Sequence, residues 1–150
     1  MAHVEMNAHD DNERGRAAAA DTSQRHSLRI CRTCPRYERL PPPGQKTDGL
    51  LLVDGVRALA GASSLAAHFT ILGVHCLGGC PAPCNAVLAA NGKASLRFHR
   101  LSPADAPSIV EVAALYYRAS SGECSLPPAL RARLAAVIRP LTGTPPWAAE

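Results

Sequence analysis

The stretch Cys76-Leu-Gly-Gly-Cys80-Pro-Ala-Pro-Cys84 constrains this chain more than any other. It sets three thiols within nine residues, with two glycines and two prolines between them. Proline has no backbone N–H to give to a helix or sheet ladder, and glycine loses the most conformational freedom on ordering. The stretch therefore reads as a loop, and its thiols must be positioned by the elements on either side.

Those elements can be read from the hydrophobic pattern. Ser27 to Cys31 alternates polar and apolar residues and predicts a short strand that ends at a thiol. Leu50, Leu51, Val53, Val56, Leu59 and Ala60 recur at helical spacing and predict a helix from Gly49 to about Ala67. His68 to His75 (HFTILGVH) predicts a second strand that also delivers its end to a cysteine. Ala86 to Ala90, Asn91-Gly92 and Lys93 to Arg100 form a hairpin pattern, with Asn-Gly favouring a type I′ turn. Ser102-Pro-Ala-Asp105 resembles a helix start, and Ile109 to Tyr116 continue it towards Ser120-Ser121-Gly122. A last short helix is predicted from Pro128 to Ile138.

This order predicts an α/β fold with a mixed sheet: strand–helix–strand, then a hairpin and a C-terminal helix. Residues 1–26 lack apolar periodicity and are expected to form a disordered extension. The domain is expected over 27–140, with a flexible tail over 141–150. A strand–helix–strand unit implies a right-handed parallel crossover, so both strands finish at the same edge of the sheet. Topology alone thus brings Cys31 and Cys34 towards Cys76, Cys80 and Cys84.

Composition narrows the function classes. The net charge of +4 and pI near 8.9 come largely from scattered arginines, without the clustered bases and aromatics of a nucleic-acid surface. No nucleic-acid partner is expected. No run approaches the roughly 20 apolar residues that span a bilayer. The polar N-terminus has only a four-alanine run, too short for a secretory h-region. The expectation is a cytoplasmic protein without membrane association, in which close thiols are metal ligands or redox groups and not structural disulfides. There is no GxSxG, HExxH, P-loop or GxGxxG, so an electron carrier or metal-binding protein is favoured over an enzyme acting on a small organic substrate.

Two ligand groups emerge, Cys31-x-x-Cys34 and Cys76-x3-Cys80, with Cys84 four residues further on. Four thiolates suit a tetrahedral zinc or a 2Fe–2S cluster. The three-residue gap of the second group departs from paired zinc knuckles. Gly78 and Gly79 leave amide N–H groups near the sulfurs, where they would raise a cluster's reduction potential. A thioredoxin-type disulfide exchange at Cys31 and Cys34 is the third possibility, with Arg32 and Arg36 to lower a thiol pKa. Pro35 follows this pair at once, and the Cys76 loop would then have no purpose. His75 neighbours Cys76 along the strand and is expected on the opposite face; His68 and His99 are expected at the surface, and His3, His9 and His26 in the N-terminal arm. Tyr116, Tyr117 and Phe69 are expected in the core and its rim, and Cys124 is read as incidental.

Cys76-Leu-Gly-Gly-Cys80, followed by a proline, a Val/Leu strand, a turn and a helix, resembles the thioredoxin-like 2Fe–2S ferredoxins and the small 2Fe–2S subunit of respiratory complex I. Taken with Cys31-Arg-Thr-Cys34 and the Cys-x3-Cys-x3-Cys run, the chain is similar to an uncharacterised bacterial family of small predicted metal-binding proteins, domain of unknown function 1636. The resemblance covers about residues 27–140. It implies a thioredoxin-like fold, cluster ligation by Cys31, Cys34, Cys76 and Cys80, and electron transfer or metal handling with a redox or metal-metabolism partner protein. In those ferredoxins the first two ligands lie farther apart, and a proline sits where this chain has Cys84. Cys84 therefore stands as an alternative fourth ligand, or as a thiol beside the metal.

Overall fold

The computed structural model describes residues 26–34, 41–78 and 82–140. The expected disordered extension (apart from His26), the expected tail, and Cys80 with its neighbours Gly79 and Pro81 lie outside the described residues.

The first strand, β1 (His26–Cys31), leads to helix α1 (Asp48–Gly61), and a 3-10 turn (Ser64–Ala67) then connects to β2 (Phe69–Val74). β1 and β2 pair in parallel, with Leu28 opposite Ile71 and Cys31 opposite Val74. This is the crossover expected from the sequence, and it ends both strands at one edge. α1 forms because Leu52, Val53, Val56 and Ala60 make one buried stripe. It starts at Thr47, whose hydroxyl accepts the Leu50 N–H at 3.1 Å. The helix is shorter than expected: it stops at Gly61, and Ser63 restarts the chain by accepting the Leu65 N–H at 3.3 Å.

β3 (Ala86–Ala90) runs antiparallel to β1, and β4 (Ser95–Phe98) runs antiparallel to β3. The turn between them is not type I′. Gly92 takes a positive φ of 76° but Asn91 does not, and the Lys93 N–H closes on the Ala90 carbonyl at 3.2 Å. The segment from Ser102 starts a helix as expected. The Ser102 N–H donates to the Asp105 carboxylate at 2.7 Å, a 3-10 turn spans Pro103–Asp105, and α2 covers Ala106–Arg118.

The helix expected from Pro128 to Ile138 is a correction. Only Pro128–Arg131 is helical (α3), and Leu134–Ile138 is β5, antiparallel to β4. The LAAVI run carries no helix cap, whereas the edge of β4 offers a ladder of backbone partners, so tertiary pairing decides the conformation. The sheet order is β2-β1-β3-β4-β5. Both long helices pack on one face against Leu28, Ile30, Leu88, Leu96 and Phe98, while Arg29, Thr70 and Leu72 are exposed on the other.

His26 is a second correction. It is the first residue of β1, only 3% exposed, with its ring centroid 5.3 Å from Phe69 and 4.9 Å from Tyr117. Tyr116 is fully buried and Tyr117 lies at the rim, as expected. The Tyr116 hydroxyl donates to the Ala94 carbonyl at 2.7 Å, and Lys93 Nζ donates to the last carbonyls of α2 at Tyr116 and Tyr117.

Candidate metal centre

At the shared edge, β1 ends in Cys31, which is fully buried, and Cys34 follows with 7% exposure. Backbone bonds fix this segment from three sides. The Cys31 N–H donates to Asn85 O at 3.0 Å, the Arg32 N–H to Val74 O at 2.8 Å, and the Gly49 N–H to Cys34 O at 3.3 Å. Two threonines add to the ties, Thr33 Oγ1 donating to His75 O and Thr47 Oγ1 to Arg32 O.

The approach of α1 is close enough to require glycine. A Cβ at residue 49 would lie 2.0 Å from the Cys31 carbonyl oxygen, far inside contact distance. Asp48 and Gly49 are therefore the first turn of a helix whose N-terminus abuts the Cys31–Cys34 segment.

The loop after β2 crosses this segment. Cys76 is exposed, and the next residue, Leu77, donates its N–H to Cys31 Sγ at 3.1 Å. The Gly78 N–H then donates to Cys76 Sγ at 3.2 Å. Consecutive amides thus face sulfurs from two distant parts of the chain. Arg97 of β4 completes the arrangement, its guanidinium donating to the Leu77 carbonyl.

Cys84 is fully buried before β3, and its thiol lies 3.6 Å from the Cys34 carbonyl, towards which it donates. Its backbone is paired both ways with Leu101, at 3.3 and 3.1 Å. The edge thus brings Cys31 to the Cys76 loop and Cys34 to Cys84. Among the described residues, no group of three or more His, Cys, Asp or Glu side chains gathers closely enough to hold a metal ion. Cys80 lies outside the described residues. The donor chemistry nonetheless fits a sulfur-ligated centre, since two of the thiols already accept the backbone N–H bonds that a thiolate favours.

His75 is exposed beside the site, and its carbonyl serves Thr33. Cys124 is not brought to this edge. It sits with Lys93 near the β3–β4 turn, where burial pushes its thiol pKa up against the opposing pull of the Lys93 ammonium. Sequence reasoning missed Arg97, Gly49 and Thr47. Thr47-Asp48-Gly49 does carry a helix-start signal, a hydroxyl cap with an acid in the first turn, whereas nothing local marks Arg97.

No helix among the described residues is long and apolar enough to cross a membrane. No curated protein matches the chain. A solved structure of the wild-type thioredoxin-like [2Fe–2S] ferredoxin from Aquifex aeolicus is similar to it, with a TM-score of 0.50 and 14% identity over 74% of this chain and 96% of that one. A second structure of a thioredoxin-like [2Fe–2S] ferredoxin from Aquifex aeolicus gives a TM-score of 0.49 and 16% identity, over 77% and 94%. The sheet order and the first of these likenesses give the fold as thioredoxin-like. Residues 28–140 match the model of a family described as "Protein of unknown function (DUF1636)", and the chain belongs to that family.

Proposed function

We propose that this protein holds one cysteine-ligated centre, a 2Fe–2S cluster, and uses it for electron transfer or metal handling with a partner protein. Cys31, Cys34, Cys76 and Cys80 would be the ligands, and the cluster would supply a one-electron couple. The observation that carries the reading is the pair of consecutive amides, Leu77 N–H on Cys31 Sγ and Gly78 N–H on Cys76 Sγ. Backbone donors aimed at sulfur delocalise thiolate charge and raise a reduction potential. Cys84 suits a supporting role better than a ligand's, because its thiol is turned to the Cys34 carbonyl.

A thiol–disulfide oxidoreductase using Cys31 and Cys34 is less well supported. Its attacking sulfur must be reachable, whereas Cys31 is fully buried. The partner would approach over the Leu77–Pro83 loop, next to exposed Cys76. A reducing compartment such as the cytoplasm would suit these thiols.

Metal analysis and a visible spectrum of anaerobically purified protein test the reading. About two iron and two sulfide per chain, with bands bleached by dithionite, are expected. Stoichiometric zinc in a colourless chain would instead make the site a structural zinc module, and a metal-free chain would leave the oxidoreductase reading.

A further inference from the structure

We propose that Arg97 is a positioning residue for the sulfur-binding loop, acting through the peptide group between Leu77 and Gly78. The identity of Cys76 as a ligand rests on the function proposed above; the action of Arg97 on the peptide does not.

The Leu77 carbonyl and the Gly78 N–H belong to one planar, conjugated unit. Arg97 donates to the oxygen of that unit, and the nitrogen of the same unit donates to Cys76 Sγ at 3.2 Å. A cation on the carbonyl oxygen draws electron density through the amide and strengthens its N–H dipole, so the two bonds reinforce one another. The preceding amide, Leu77 N–H, points at Cys31 Sγ. One side chain on a rigid strand thereby orients the Gly78 donor directly, and restrains the Leu77 donor through the Cα that the two peptide units share.

The loop needs such a fixture. Gly78 adopts a φ of 77°, a region that glycine enters without strain but is not confined to. Arg97 is suited to the role because its guanidinium stays charged and presents several donors in a rigid fork. Among the described residues Arg97 takes part in no ion pair; those present are Lys46–Asp54 and Arg139–Glu123. The β4–β5 register is irregular between Arg97 and Phe98, at the point where Arg97 reaches across to the loop.

The test compares the full chain, as purified, with Arg97→Lys, Arg97→Gln and Arg97→Ala. Amide hydrogen exchange at Leu77 and Gly78 reads the positioning, and the midpoint potential of the cluster-loaded chain reads the polarisation. Arg97→Ala is expected to exchange these amides on the order of tenfold faster. Arg97→Gln, a neutral donor, is expected to hold the loop better than Ala yet shift the potential to a more negative value; Arg97→Lys should stay near wild type in both. Wild-type exchange in Arg97→Ala, or a wild-type potential in Arg97→Gln, overturns the proposal. If the wild-type chain carries no cluster, the function proposed above fails, and the exchange measurement still decides the role of Arg97.

Discussion

The backbone N–H of Leu77 donates to the sulfur of Cys31 at 3.1 Å across 46 residues of sequence. The contact exists because β1 and β2 are parallel neighbours, so the loop leaving β2 passes over the end of β1. It joins the two cysteine groups whatever they bind, and it makes the edge of the sheet the place where changes should be felt.

Gly49→Ala is expected to destabilise the fold by about 2–4 kcal/mol, because its Cβ would collide with the Cys31 carbonyl, which is backbone and has little room to move. Urea unfolding should show a lower midpoint with an unchanged slope. Metal content per folded chain should fall as well, since the displaced segment carries Cys31 and Cys34.

Removing the helix cap gives a milder effect. Thr47→Ala deletes the acceptor for the Leu50 N–H and the donor to the Arg32 carbonyl, and should lower stability by about 1–2 kcal/mol. Thr47→Ser should recover most of that loss in the same urea titration.

Cys84→Ser is expected to retain the metal and its visible bands, since the serine hydroxyl can still donate to the Cys34 carbonyl. Cys31→Ser, Cys34→Ser, Cys76→Ser and Cys80→Ser should each lose them. Bleaching in the Cys84 variant together with colour in Cys80→Ser would move the fourth ligand to Cys84.

Alkaline pH should weaken the fold through Tyr116. Burial raises its phenol pKa from 10.0 to about 12, so the folded state holds a proton that the unfolded chain has released. The stabilisation is complete below pH 10 and is lost as pH rises towards 12. Cys124, also raised by burial, acts in the same direction, while Lys93, lowered by burial, acts in the opposite one. The thermal midpoint should therefore fall between pH 10 and 12. Tyr116→Phe should flatten that fall while costing about 1 kcal/mol at neutral pH for the lost bond to Ala94.

Lys46→Ala serves as a control. Its ion pair with Asp54 joins two exposed side chains, and its loss should change stability by less than about 0.5 kcal/mol. A larger change would mean that the loop before α1 is held more firmly by this pair than its exposure implies.

The local pattern carried much of this fold. Alternation in β1, the aromatic and branched residues of β2 and the apolar stripe of α1 are local signals that neighbouring residues specify among themselves, and the right-handed crossover rule then brought Cys31 to the Cys76 loop. Residues 134–138, His26 and Arg97 were not readable in the same way. LAAVI is compatible with helix or strand until the open edge of β4 supplies its hydrogen bonds. His26 looks like part of a polar arm until Phe69 and Tyr117 close around it. Arg97 resembles any strand arginine until packing sets its guanidinium on the Leu77 carbonyl. Short-range periodicity states which face of an element is buried; the partner it meets there depends on register and approach across the folded chain, which no neighbouring residue encodes.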